Sequence, residues 1–306
     1  ALQEKKPNVF ALPVQRWMTL QGFMSNGHPT IVGLFMFSAY PQGYFPQLGI
    51  TAVAVPGTKV SGIGEIGERF LDNKRIEGTI PQMKDDAVAF VIRNMKVRTV
   101  IDEKTGERTD KTEYPVIAIR EIILNALVHR DYSIHTDNCP ITIRMFTNRI
   151  EVENPGGLYG RNRIDTLGDY GADTRNPYLA NALEIIGQAE NRYSGIPTIR
   201  RAMEEAGLEP PKFESTRGIF RVTLYNTLKK VSAPLTELQQ RILEFCKVPR
   251  SRSELETEFK SELTGAYLMT RHIYPMVKEG LLSLTIPDKP KSKNQRFVRN
   301  NSRGYS

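Results

Sequence analysis

Three short groups in the middle of the chain have residue types and spacings suited to chemistry. Glu121 and Asn125 are four apart, and His129 follows four later. On a helix the three stack along one face, a turn apart. A carboxylate beside an amide suits a metal–phosphate site. The amide oxygen is a hard ligand for Mg2+ next to phosphates, and the carboxylate orients an attacking water or takes its proton. Asn154-Pro155-Gly156-Gly157 lets backbone approach a ligand with no Cβ in the way. Ser194-Gly195-Ile196-Pro197 stands just before a predicted helix, where backbone amides attract phosphate. Singly, these groups also read as a solvated helix face, a turn and a cap. His129-Arg130-Asp131 is not the kinase catalytic loop, because its companion motifs are absent. His129 is expected at a helix end, favoured by the dipole and within reach of phosphate.

The elements that must position these residues follow from periodicity. Ile119, Ile122, Ile123, Ala126 and Leu127 make one helical face, placing Glu121, Asn125 and His129 on a helix. Ile141–Phe146 and Arg149–Glu153 read as strands joined at Thr147-Asn148, and Asn154-Pro155-Gly156-Gly157 ends the second. Pro177 and Pro197 open helices to about Ile186 and Ala206, Gly207 caps the latter, and Gly218–Tyr225 is a closing strand. Upstream, residues 1–112 read as mixed α/β. The apolar run Ile31–Phe37 suits a buried strand, Ile50–Val55 a second, and Val88, Val91, Ile92 and Met95 predict a helix over about 81–97. Gly57, Gly62, Gly64 and Gly67 lack the Lys of a phosphate loop and read as a surface loop. Lys104–Lys111 reads as a hairpin tip or linker.

The chain has 306 residues, a formal net charge of +8 and 40% hydrophobic residues, which fits a globular protein of two or three domains. The longest apolar run is far short of a membrane span, and no secretory signal opens the chain, so a cytoplasmic location is expected. Cys139 and Cys246 are 107 residues apart with no second Cys or His at metal-ligand spacing, so two reduced cysteines are expected rather than a zinc or disulfide framework. Residues 236–306 hold 13 Lys and Arg against 8 Asp and Glu, a basic bias that points to a polyanion. Thr236 and Gln239 form a capping box, followed by helices at about 236–247, 252–260 and 264–279 and strands at Leu281–Ile286 and Gln295–Arg299. That order is winged-helix architecture. The third helix places Leu268, Ile273, Met276 and Val277 inward and Tyr267, Thr270, Arg271 and Tyr274 outward. Tyr267, Thr270 and Arg271 suit base edges in a major groove, and Lys289, Lys291, Lys293 and Arg296 suit phosphates. The acidic Glu254, Glu256 and Glu258 favour the other use of such a unit, protein contact or dimerisation.

Taken together, the three groups resemble the GHKL ATPase fold. Arg120-Glu121, Asn125 through Ser133, Glu153 through Leu158, Arg175-Asn176-Pro177 and Gly195-Ile196-Pro197 resemble more closely the RecG-related transcriptional regulators, over roughly residues 25–230. The resemblance implies an α+β fold in three parts: a mixed α/β region at 1–112 following a Schlafen/AlbA-type (divergent AAA) domain, a GHKL-like α/β sandwich at 113–230, and a winged helix-turn-helix domain at 231–306. It implies ATP and Mg2+ as cofactors. Asn125 maps onto the metal-coordinating Asn and Glu121 onto the general base. Gly156 and Gly157 map beside the adenine, and Ser194 and Gly195 onto the phosphate lid. Helicase activity is not implied, since no helicase Walker motif is present.

Two departures bear on turnover. Asn154 stands where these ATPases carry an Asp that accepts from the adenine amino group, and Tyr193 stands where the lid carries Gly. Three readings are therefore carried forward. The first is a bacterial-type DNA-binding transcriptional regulator, with double-stranded DNA as partner and a nucleotide as ligand. The second is a Mg-dependent GHKL-type ATPase acting on DNA. The third is a non-enzymatic dimerisation or interaction scaffold, with a homo-oligomer as one possible assembly.

Overall fold

Alternating burial along the strands decides which face of the sheet each side chain takes, and that parity positions the site. The computed structural model describes residues 12–101, 106, 108–169, 173–188, 195–229, 235–290 and 292–300. The chain divides into two compact units, 1–230 and 231–306. Among the described residues no helix is long and apolar enough to cross a membrane.

The first unit opens with helices α1 (Val14–Leu20) and α2 (Ile31–Phe37). The run expected as a strand is thus a helix. Thr30 caps it, its hydroxyl accepting from Gly33 N at 3.1 Å. A continuous apolar run has no period to separate helix from strand, so the cap decides. Gly33 is required by packing: a Cβ there would lie 2.1 Å from the Phe23 carbonyl oxygen.

Strands β1 (Ile50–Ala54) and β2 (Asp72–Ile76) follow, then α3 (Ile80–Asn94), which starts at a Thr79/Gln82 capping box. β2 was not expected. Its Asp-Asn-Lys-Arg-Ile sequence is polar because it is an edge strand with one face in solvent. β3 (Val97–Ile101) and β4 (Arg108–Thr112) pair in a separate antiparallel hairpin. Then come α4 (Val116–His129), β5 (Ile141–Met145), β6 (Arg149–Pro155), α5 (Pro177–Ile185), α6 (Gly195–Glu205), β7 (Lys212–Thr216) and β8 (Ile219–Tyr225). β7, also unforeseen, is the other edge of the same sheet.

The sheet order is β2-β1-β5-β6-β8-β7. All neighbours are antiparallel except β1 and β5, which run parallel with Ile50 opposite Ile141. A parallel pair needs a crossover, and α3 and α4 lie within it. The sheet thereby runs across residue 112, where the sequence reading drew a boundary. Residues on both sides of it share one sheet and one core, which joins Ile50, Ile76, Phe90, Ile119, Ile143, Val152 and Leu224. The result is a two-layer α/β arrangement, with α4 packed against α3, α6 and β6.

In the second unit, α7 (Glu237–Phe245) opens with the Thr236/Gln239 capping box, and α8 (Arg252–Glu258) opens with Ser251/Glu254. Gly265–Lys278 is one helical segment built of α9 (Gly265–Leu268), a π turn at Met269–Ile273 and α10 (Tyr274–Lys278). Pro275 explains the π turn. Proline has no N–H to give and its ring crowds the carbonyl four residues back, so the preceding turn widens. β9 (Arg250–Ser251), β10 (Leu282–Leu284) and β11 (Arg296–Arg299) form a sheet in the order β9-β11-β10. The expected two-stranded ribbon therefore gains a third, two-residue strand. Leu255, Phe259, Leu268, Ile273, Met276 and Phe297 are among its core residues.

Candidate functional site

β6 delivers the first site residue by parity alone. Ile150, Val152 and Asn154 point to the helix layer and are buried, while Glu151 and Glu153 point to the other face. On that outer face the charges are matched. Glu153 Oε1 accepts from Arg144 at 2.8 Å and from Arg221, and Arg149 Nε donates to Glu151 at 2.6 Å. Burial pushes the Glu153 carboxyl up, but its hydrogen bonds from Arg144 and Arg221 outweigh this and hold it below the usual range. On the inner face Asn154 is 3% exposed, and its Oδ1 is buried with no hydrogen-bond partner.

Asn154 lines a cavity of about 130 Å3 between β6, β8, α4 and the start of α6. Its apolar walls include Ile122, Val152, Leu158, Ile196, Phe220 and Val222. An apolar cavity of about 150 Å3 holds a benzene ring, so this one has the scale of a flat ring. Asn125 and His129 line it from α4, Gly156 and Gly157 from the turn after β6, and Gly195 from α6. Asn125 Nδ2 is a second buried polar atom without a partner. Burial lowers the His129 pKa, so the ring is neutral at pH 7. His129 is the last residue of α4, and burial there disfavours its charged form.

Two glycines let these parts meet. Gly156 has φ +102°, and a Cβ there would stand 2.8 Å from the Asp131 Cβ. Gly195 begins α6 directly over α4. A Cβ on it would lie 2.9 Å from Asn125 Nδ2 and 3.1 Å from Glu121 Oε2. Glu121 and Asn125, from one group of the sequence, and Gly195, from another, therefore converge. Ser194, Tyr193 and Lys291 lie outside the described residues.

Other residues of the quoted motifs hold the site rather than line it. Arg130 is buried, and its guanidinium donates to the carbonyls of Asp131 at 2.6 Å, Thr136 at 2.9 Å and Cys139. Asp131 N donates to Pro155 O at 2.9 Å, and Asp131 Oδ2 accepts from Arg175 at 3.0 Å. Arg175 also donates to Gly157 O at 3.3 Å and lies over the Tyr159 ring. Asn176 Nδ2 donates to the carbonyls of Val128 and Arg130, closing the C-terminal end of α4. Burial raises the Asp131 carboxyl, but the Ser133 hydrogen bonds and the charges of Arg175 and Arg130 bring it below its ordinary value.

Sequence reasoning missed the rim of the cavity: Tyr159, Asn162, Leu167 and Asp173. Asp173 accepts from Arg161 N and its guanidinium, which holds the carboxyl down at about 2. The one available signal was position, just beyond the Gly156-Gly157 turn. A larger cleft of about 660 Å3 opens on the far side of the 131–133 loop. Its Asp131, Tyr132 and Asn176 are already engaged with other protein groups, and Arg175 keeps one buried unpartnered atom, Nε, against the two on Asn125 and Asn154. Spare hydrogen-bonding capacity at Asn125 and Asn154 favours the smaller cavity as the binding site.

The residues fit a planar heterocycle with a hydrogen-bonding edge. Among the described residues no cluster of three or more His, Cys, Asp or Glu side chains is placed to hold a metal. A Mg2+ ion here would rest on Asn125 and the ligand's own phosphates, as Mg2+ commonly does.

In the second unit Tyr267, Thr270 and Arg271 are exposed on one side of the third helix, and Leu268, Met269 and Ile273 are buried on the other. Lys289 and Lys293 are exposed. Arg296 is engaged within the unit, donating to Pro249 O at 3.1 Å and Glu254 Oε2 at 3.3 Å. Its side chain is nonetheless half exposed.

The fold is thus a mixed-sheet α/β sandwich with a ring-sized cavity under its helix layer. Residues 138–224 match the family model described as "Putative ATP-dependent DNA helicase recG C-terminal". The match takes in Asn154, Gly156, Gly157 and Gly195 but begins beyond Glu121, Asn125 and His129. The fold is similar to the crystal structure of the DIP2311 protein from Corynebacterium diphtheriae, with a TM-score of 0.56 and 19% identity. That similarity covers 83% of this chain and 52% of the other, so this chain spans about half its length. No curated protein matches the chain.

Proposed function

We propose that the chain is a DNA-binding regulator whose first unit holds a nucleotide and whose second unit contacts duplex DNA as a winged helix. One observation carries the nucleotide reading: Asn125 and Asn154, each with a buried amide atom that has no partner, line a ring-sized cavity together with Gly156, Gly157 and Gly195. The description of the matching family adds support. Bound ATP would place its base by Asn154, Gly156 and Gly157 and its phosphates toward Asn125 and Gly195, with Mg2+ neutralising phosphate charge. The base then replaces the missing hydrogen bond at Asn154, and the apolar walls exclude water from the ring.

A second reading, Mg-dependent hydrolysis, is favoured by Glu121 standing one helical turn from Asn125 beside Gly195. There Glu121 would orient the attacking water and take its proton, a role whose loss costs about 10²–10⁴-fold in rate.

The DNA reading rests on the basic bias of residues 236–306 and on the exposed Tyr267, Thr270, Arg271, Lys289 and Lys293.

Thermal shift of the full chain tests the first part. At about 100-fold over Kd, ATP with Mg2+ is expected to add about 2.7 kcal/mol, and Asn125→Ala to remove that gain. No shift with any nucleotide at millimolar concentration would leave the scaffold reading. For DNA, Lys289→Ala with Lys293→Ala should lower the slope of log affinity against log salt by up to about 2 units. An unchanged slope would place the DNA contact elsewhere.

A further inference from the structure

We propose that Asn154 makes the cavity tolerant of the substituent at the purine 6-position, so that 6-amino and 6-oxo nucleotides bind alike. This inference rests on the nucleotide reading above and concerns the same cavity. Its basis is the unpartnered amide. Asn154 Oδ1 is buried without a hydrogen bond, on a side chain 3% exposed. A primary amide has an acceptor at one end and two donors at the other. Its terminal torsion is broad and roughly two-fold. Because Oδ1 is tied to no protein group, rotating the amide by half a turn breaks no hydrogen bond made by that oxygen. Turned one way the amide would present its carbonyl to a 6-amino group, and turned the other way its NH2 to a 6-oxo group. Each ligand therefore finds a complementary partner.

The surroundings leave this choice to Asn154. On the sheet, its register partner on β8 is Phe220, and the next inward pair is Val152 with Val222. All three apolar residues line the cavity and offer no second polar atom to fix the edge of the ring. The carboxylate of the next residue, Glu153, is on the opposite face and committed to Arg144 and Arg221. A carboxylate in place of Asn154 would accept only, so it would face a 6-oxo group with lone pair against lone pair.

The test compares ATP with inosine triphosphate, which carries oxygen at the 6-position, by calorimetric titration of the full chain with Mg2+. Expected is a wild-type ratio of dissociation constants within about fivefold. Asn154→Asp should shift that ratio toward ATP by at least about tenfold, the scale of one hydrogen bond to a charged group gained or lost. Asn154→Leu, of similar volume, should weaken both ligands by the same factor. A wild-type preference for ATP above about tenfold would overturn the inference while leaving the nucleotide reading standing. So would an unchanged ratio in Asn154→Asp. If neither nucleotide binds the wild type at millimolar concentration, the reading of the cavity falls and the inference with it.

Discussion

Two neighbouring regions of the first unit handle their polar groups in opposite ways. In the loop after α4, Arg130, Asp131, Arg175 and Asn176 donate to or accept from one another and nearby carbonyls. Across the Gly156-Gly157 turn, Asn154 and Asn125 each keep a buried atom without a partner. Both sets came from the same quoted motifs. Arg130 and Arg175 also leave their Nε atoms unpartnered, but each makes two or more other hydrogen bonds, so the first set braces and the second is open. A buried polar group with partners stiffens a fold, and one without them costs free energy unless a ligand satisfies it. The difference separates residues that hold the site from residues that would touch its occupant.

The comparison is broken or sharpened most strongly at Arg130. Arg130→Ala leaves buried carbonyls unmatched and should cost about 3 kcal/mol or more in urea unfolding. A loss under about 1 kcal/mol would mean that the loop is not braced there. A double-mutant cycle on Asp131→Asn and Arg175→Ala should give a coupling of about 1–2 kcal/mol, since both partners are only partly exposed. Additive effects would detach Arg175 from the loop. Asn154→Leu should change stability by less than about 1 kcal/mol, in either direction, because it removes a polar atom that the protein leaves unsatisfied. A large loss would instead place Asn154 among the bracing residues.

The smallest expected effect is on pH dependence. Burial lowers the folded pKa of His129 below the unfolded value of about 6.5. As pH falls through that value the unfolded chain takes up a proton that the folded chain refuses, so stability declines toward acid. His129→Asn should flatten the decline between about pH 7 and 5 in thermal melts. An unchanged profile would show that the ring accepts its proton in the folded state.

Much of the frame was legible from residues. Period-3.6 patterning located α4 with Glu121 and Asn125 on it, and period-2 patterning located β5, β6 and β8. Strand parity along Ile150, Val152 and Asn154 would have been enough to turn Asn154 inward. The capping box at Thr236 and Gln239 marked the start of α7 because its signal is local in sequence. The strand expected at Ile31–Phe37 failed because seven residues with one polarity class carry no period, and a hydroxyl at Thr30 settled the matter.

By itself, then, the sequence determined those local elements that carry a period or a cap, the basic bias of the second unit and the residue types that could meet a nucleotide. Only the tertiary structure decided which of them meet. The parallel pairing of β1 with β5 joined residues on both sides of 112 into one core, a contact made across some ninety residues that no local pattern encodes. Close approach of α6 to α4, permitted by the missing Cβ of Gly195, brought Glu121 and Asn125 under it. Hydrogen-bond partnership was likewise decided in three dimensions. Asn154 and Asn176 are the same residue type, and packing gave Asn176 two carbonyls while leaving the Asn154 oxygen none.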